Sequence, residues 1–354
     1  MGVSGQPAGA AMVEPGGPGA TSTAPPARAA TIYDVAEAAG VSHQTVSRLL
    51  KGEQNIGPKR RERIEQALRD LHYSPNEAAR TLATNRARRI GALISDLRDW
   101  APQQILSGAA VAARSAGYVL DIVVVDLADV ESVRQAVAIL RRGALAGVVV
   151  LAPSDPLLET LDLGGMDAPV VVEGEPDLSL PGGDLAGHPF GALVDHLAEL
   201  GHRSFFHIAG PVAWRAARNR TVVYRDRLRA GGFADLGTVP GDWTADSGYA
   251  AMAAFDPAAT AVVAANDLMA LGAMSWLAEH GFRVPDDVSV VGFDGVPEGR
   301  FFVPPLTTVQ VDLEGLGRQT VASLLSRVEG RDPGPPMRTP ELVVRNSSAA
   351  PRRR

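Results

Sequence analysis

The sequence predicts a small all-helical N-terminal domain followed by a larger α/β body made of two doubly wound parallel sheets. Its 354 residues exceed what one hydrophobic core usually fills, and that length favours two or three domains. Between Thr31 and Leu71 apolar residues recur at helical spacing. From Ile90 onward, apolar runs ("IGALIS", "YVLDIVVV", "AGVVVLA", "PVVV", "SFFHIA", "TAVVAA", "VSVVGF") alternate with helical patterns at 187–200, 212–230 and 267–281. Such alternation calls for parallel sheets covered by helices on both faces. Seven or more strands over roughly 250 residues suit two lobes, and ligands of such folds sit beyond the carboxyl ends of strands, which here means a cleft between lobes.

The elements follow in order. Residues 1–29 are rich in Gly, Pro, Ser and Ala, cannot build a core, and lack the basic start and apolar middle of a secretory signal, so a disordered tail is expected. A helical domain is expected at 30–75. Thr31 and Asp34 can satisfy the free donors of a first turn, and that helix runs to Ala39 and stops at Gly40. Ser42 can cap a second helix through about Leu50. Pro58 opens a third, whose Ile64, Ala67, Leu68 and Leu71 share one face. Pro75 breaks it, and "YSPNEAARTLATNRARR" leaves one short helical segment and an Arg-rich link at 76–88. The body is expected at 89–345 and a second disordered tail at 346–354.

Composition excludes several classes. Cysteine is absent, which removes disulfides, thiolate zinc sites and Cys nucleophiles and fits a reducing cytoplasm. No apolar run approaches the roughly 20 residues of a membrane helix. The net charge of −6 is unevenly divided: residues 31–89 hold 11 Lys/Arg and 7 Asp/Glu, net +4, residues 1–30 balance, and residues 90–354 therefore carry −10. A small cationic head on an acidic body suits a protein that touches phosphate at one end only. No Gly-rich phosphate loop, metal-spaced His cluster or Ser elbow points to an enzyme, and no metal or cofactor is expected.

In the second helix Val46 and Leu49 can join Val35, Ala36 and Val41 in a small core, leaving His43, Gln44, Ser47 and Arg48 outside. Gln44 and Arg48, at i and i+4, rise from one face near the helix start, where a recognition helix meets base edges. Arg reads guanine through its fork and Gln reads adenine. The same spacing also suits an ordinary solvated face, and spacing alone leaves both readings open.

"TIYDVAEAAGVSHQTVSRLL" resembles the N-terminal signature of the LacI/GalR family of transcriptional regulators almost position for position. The body carries the resemblance on through "LGHR" (200–203), "AAND" (264–267), "VPDDVSVVGFD" (284–294) and "PPLTTV" (304–309). The resemblance implies a lambda-repressor-like helix-turn-helix head, a hinge helix and a two-lobed periplasmic-binding-protein-like core. It places His43, Gln44 and Arg48 at base-reading positions and Thr31, Thr45 and Ser47 where hydroxyls contact phosphates. It makes 76–88 a hinge helix that orders on DNA and pairs with its dimer mate, with Asn76 in the segment, Ala79 at the helix–helix contact and Leu82 as a minor-groove wedge. Gly57 and Arg60 stand where the family usually has Ser and Thr.

For the cleft, the resemblance puts Arg220, Asn266 and Asp294 at sugar-binding positions and Trp243 at the aromatic platform, with Trp100 at the mouth of the first lobe. Rigid polar groups and an aromatic face are what a neutral sugar needs. Each residue has a rival role: Asn266 as a helix cap, Asp294 as a strand end, Trp243 as core, Arg220 in a surface salt bridge. Gly174 replaces the usual Asp, with Glu173 and Glu175 beside it, so either a glutamate substitutes or a different hydroxyl pattern is recognised. The partners implied are pseudo-palindromic operator DNA, a small sugar (a galactoside among the candidates) and a second copy of the chain; no membrane is expected. A transported-sugar receptor shares the body but would lack the 31–82 head. "NSSAAPRRR" carries no Leu heptads that would support a four-chain assembly.

Overall fold

The computed structural model describes residues 30–50, 56–73, 88–332, 334 and 337–352, less residues 96, 127, 128, 163, 164, 179, 181 and 182. It divides into two compact units, a head within residues 1–84 and a body within residues 85–354.

In the head, α1 spans Ile32–Ala39, α2 His43–Leu50 and α3 Pro58–Asp70. The capping box expected at the start of α1 is present: Asp34 Oδ2 accepts from Thr31 N at 2.6 Å, and Thr31 Oγ1 accepts from Asp34 N at 3.4 Å. Gly40 closes the helix at φ 61°, a left-handed position that glycine occupies without steric penalty and that turns the chain into α2. Ser42 Oγ accepts from Thr45 N and caps α2. Gly57 precedes α3 without a side-chain cap, and Pro58 supplies the first turn. Val35, Ala36, Ala39, Val46, Ile64 and Ala67 are the buried centre of this unit.

The body holds two sheets. The first lobe has β1 (Arg89–Ile94), β2 (Val119–Val124), β3 (Gly147–Leu151) and β4 (Val170–Val172), all parallel, in the order β2-β1-β3-β4. Its helices are α4 (Trp100–Ser115), α5 (Val130–Arg142) and α6 (Asp155–Thr160). The second lobe contains α7 (Gly191–Glu199), β5 (Ser204–Ala209), α8 (Arg215–Gly231), β6 (Ala234–Pro240), α9 (Ala245–Ala251), β7 (Ala261–Ala264), α10 (Asp267–Glu279), β8 (Ser289–Asp294) and β9 (Thr307–Gln310). Then α11 (Leu313–Glu329) returns to the first lobe, and β10 (Glu341–Val343) pairs antiparallel on the edge of the second sheet, in the order β10-β9-β8-β7-β5-β6.

Each sheet is covered on both faces, as the continuous apolar strands demand. In the first lobe α4 and α11 pack on one face and α5 and α6 on the other. In the second, α9 and α10 cover one face and α7 and α8 the other. The contact between α4 and α11 is close enough that a Cβ on Gly317 would lie 1.8 Å from Ile105 O, and one on Gly108 would lie 1.9 Å from Glu314 O.

One expectation is corrected. Residues 346–352, expected to belong to a disordered tail, are bound to the second lobe. Ser347 is fully buried, its Oγ accepts from Thr307 N and donates to Val290 O, and its own carbonyl accepts from Val290 N. Short hydroxyl side chains bond readily to backbone groups, and here they substitute for the apolar pattern that marks an ordinary strand.

Candidate functional site

The head exposes one polar face of α2. His43, Gln44 and Arg48 are exposed, Thr45 and Ser47 half-buried, and Val46 faces the core. The hydroxyls are partly engaged locally: Thr31 Oγ1 donates to Asp34 Oδ2 at 2.7 Å, and Thr45 Oγ1 lies 2.9 Å from Ser42 Oγ. Tyr33, 65 % exposed, sets its ring 5.0 Å from that of His43 and extends this face onto α1. A large aromatic at the solvent side of an otherwise polar turn was the signal that could have found it. Asn76, Ala79 and Leu82, expected in the hinge, lie outside the described residues.

In the body a cavity of about 460 Å³ opens between the lobes, beyond the carboxyl ends of β3, β4 and β8. Trp100, Arg220, Trp243, Asn266 and Asp294, scattered over nearly two hundred positions, all line it. Of the four non-glycine residues with positive φ among the described residues, three line it too: Ala152 (45°), Trp243 (77°) and Asp294 (107°). Such backbone strain persists only where the surroundings over-determine it, and it concentrates at ligand sites.

The second-lobe wall is held by internal hydrogen bonds and ring contacts. Arg220, projected from α8, is buried rather than on the surface: Nη1 donates to Ala265 O at 2.6 Å and Nη2 to Asp294 Oδ1 at 3.2 Å. Its guanidinium carbon sits 4.1 Å from the centre of the Phe293 ring and 5.4 Å from that of Trp243. Burial pushes the Asp294 carboxyl up to about 6 although the Arg220 charge pulls it back. Asn266 does cap a helix, as the rival reading held: Oδ1 accepts from Met269 N, while Nδ2 donates to Trp243 O and fixes the platform's backbone. The Trp243 ring lies against Gly210, where a Cβ would come within 2.4 Å of it, and stands perpendicular to Trp214 with centroids 6.4 Å apart.

The first-lobe wall supplies Trp100 at the start of α4 and the pair Glu173 and Glu175 just after β4. Glu173 is buried and accepts from Ala152 N at 2.9 Å. Its burial, reinforced by the neighbouring Glu175 charge, raises it to about 7 against the pull of that hydrogen bond. Glu175 stands at the mouth and accepts from Asn219 Nδ2 at 3.0 Å, with His188 Nε2 at 3.3 Å. Partial burial would raise it, but His188, Asn219 and the Arg220 charge outweigh that and hold it down to about 2. Gly174, between them, has φ 149° and open space where a side chain would be.

Sequence reasoning missed Trp214, His188 and Phe293 in this cleft. Tryptophan was the available signal, since three of the chain's four line the cavity.

A helix-turn-helix head joined to a two-lobed body with an interlobe cleft defines the class of ligand-responsive DNA-binding regulators. Residues 31–76 match the bacterial regulatory proteins of the lacI family, and residues 194–348 match the periplasmic binding protein-like domain. The chain belongs to the lacI family of bacterial regulatory proteins. It is 33% identical over 328 residues to the lactose operon repressor of Escherichia coli (strain K12), covering 91% of each chain. It is 34% identical over 340 residues to the HTH-type transcriptional regulator CelR of Thermobifida fusca, covering 90% of this chain and 98% of that one. Its fold is similar to the crystal structure of the lac repressor dimer bound to operator and the anti-inducer ONPF, with a TM-score of 0.81, 32% identity, and coverage of 91% of this chain and 100% of that one. A CelR–cellobiose complex is similar at a TM-score of 0.64 and 30% identity, covering 90% and 100%.

Proposed function

We propose that this chain is a dimeric, sequence-specific repressor of carbohydrate-utilisation genes, acting in the cytoplasm, whose operator affinity is set by a small sugar held in the interlobe cleft. The observation that carries this reading is the convergence of Trp100, Arg220, Trp243, Asn266 and Asp294 on one cavity in a chain that also presents the polar face of α2. Relatives that bind operator as a dimer, or cellobiose, support it. The chain acts by binding rather than by catalysis, as its relatives, being transcriptional regulators, suggest.

His43, Gln44 and Arg48 read base edges in the major groove, and Thr31, Thr45 and Ser47 contact phosphates, the local hydroxyl pairs re-forming on the operator. Asn76, Ala79 and Leu82 serve as the hinge. In the cleft the Arg220–Asp294 pair offers a donor and an acceptor to ring hydroxyls, and Trp243 takes the C–H face of the ring. A ligand shifts an equilibrium only by its differential affinity for the two states, so the sugar acts by favouring one lobe arrangement over another.

The test is operator selection from genomic fragments by the purified chain, with and without a sugar panel. We expect a palindromic site whose log affinity falls by about 0.9 per phosphate contact per log unit of salt, and whose occupancy one sugar changes. Salt-insensitive binding, or occupancy that no sugar alters, refutes the reading.

A further inference from the structure

Arg215, the first residue of α8, lines the cleft as Arg220 does, half-buried beside Trp214 and Ala216. Of the three arginines in the first two turns of this helix, Arg218 is paired with Asp155 and Asp177, and Arg220 with Asp294. Arg215 has no carboxylate partner among the described residues. Its one hydrogen bond runs from Nη1 to the carbonyl oxygen of Glu175 at 3.2 Å, while its Nε is buried with no acceptor.

The bond to Glu175 O orients the guanidinium and leaves Nε and Nη2, its side-on edge, without partners in the chain. These two donors stand side by side at the spacing that two oxygens of one carboxylate or phosphate accept. Four carboxylates of the cavity wall are turned to other donors: Glu175 to His188 and Asn219, Asp294 to Arg220, Asp184 to Gly187 N, and Glu173 to Ala152 N. A buried donor without an acceptor costs free energy, and a ligand that brings acceptor oxygens to it recovers that cost. The first turn of α8 has no side-chain cap, so the positive end of the helix adds to the guanidinium charge.

We propose that Arg215 is a specificity-determining residue of the cleft, taking an oxyanion of the effector side-on through Nε and Nη2, so that the regulator responds to an acidic sugar in preference to its neutral parent. This rests on the reading of the cleft as the effector site. Arg220 and Trp243 hold the ring in that reading, and Arg215, earlier on the same helix, addresses a substituent on it. A neutral hydroxyl presents a single oxygen to the paired donors and leaves the charge uncompensated.

The test is calorimetry on the full chain with galactose, galacturonate and galactose 6-phosphate, and with glucose, glucuronate and glucose 6-phosphate. At least one acidic compound binds about ten- to a hundredfold more tightly than its neutral parent, and the uronate and phosphate arms tell which oxyanion it is. Arg215→Gln abolishes that preference, whereas Arg215→Lys, which keeps the charge without the fork, retains part of it. Neutral parents that bind as tightly as both acidic forms, or a preference that survives Arg215→Gln while Arg220→Ala loses binding, overturn this inference alone. If Arg220→Ala binds as wild type does, or no compound binds the wild-type chain, the effector cleft itself is misplaced and this inference falls with it.

Discussion

Arg218 on α8 of the second lobe reaches across the cleft to Asp155, which opens α6 of the first lobe, in a two-pronged ion pair of 2.5 and 3.2 Å. Beside it, Asp155 N donates to Ala213 O at 2.9 Å, so one residue ties the lobes through both its side chain and its backbone. Trp214 lies between these two attachments in sequence and lines the cleft. The tie therefore flanks, in sequence, a residue of the cavity wall.

Because the pair is partly exposed, its contribution is on the order of 1 kcal/mol. Arg218→Ala removes the side-chain attachment and leaves the backbone one, shifting the body toward more open arrangements. Small-angle scattering of the unliganded variant should give a larger radius of gyration than wild type, and effector affinity should change by a few-fold. An unchanged scattering curve and affinity would show that the pair merely decorates the closed form.

Arg220→Ala is expected to leave operator affinity within a few-fold while abolishing the response to the effector. Its fork is buried against Asp294, Ala265 O and two aromatic rings, and removing it leaves a buried carboxylate of the cavity wall without its cation. Operator titration in the presence of the panel's best ligand decides it. Release of DNA at the wild-type ligand concentration is the contrary outcome.

Glu173 also gives a pH signature. Its folded-state value, raised to about 7, lies above the ordinary 4.5, so between these limits the folded chain binds more protons than the unfolded one at this site. Its contribution to stability therefore falls as pH rises through that window and is constant above it. Glutamine does not titrate, and the difference isolates this site from the buried histidine His207, whose depression to about 4 acts with the opposite sign. The melting temperature of Glu173→Gln, relative to wild type, should climb from pH 5 to pH 8; a flat difference contradicts the assignment.

In the head, Arg48→Ala should relax one base position at a loss of roughly 1–3 kcal/mol, whereas Arg60→Ala should weaken all sequences alike. Selected-site sequencing with each variant separates the two, and an unchanged preference in the Arg48 variant would place that side chain outside the groove.

Gly317→Ala should destabilise the body by about 1–3 kcal/mol, since its Cβ would meet Ile105 O and force α4 from α11. Thermal melting should show a drop of several degrees.

Much of this molecule was legible in the sequence because the signals were local. Thr31 with Asp34, Gly40 and Pro58 set helix ends through groups a few residues apart, and all seven apolar runs became strands; in β1, β3, β5, β7 and β8 the reason is burial on both faces of a sheet, while the edge strands β2 and β4 stay apolar though partly exposed. The resemblance likewise named five cleft residues that proved to line one cavity. Tertiary structure alone decided the rest. The strands β6, β9 and β10, of mixed polarity, form because an existing sheet offers hydrogen-bonding edges. Ser347 is buried by backbone groups of strands 40 and 57 residues earlier. Arg220 meets Asp294 across 74 positions, and the partners of Glu175 come from α8 and the loop before α7. Propensity and periodicity act over a few residues, whereas burial and electrostatic pairing depend on which distant segments the closed chain brings together.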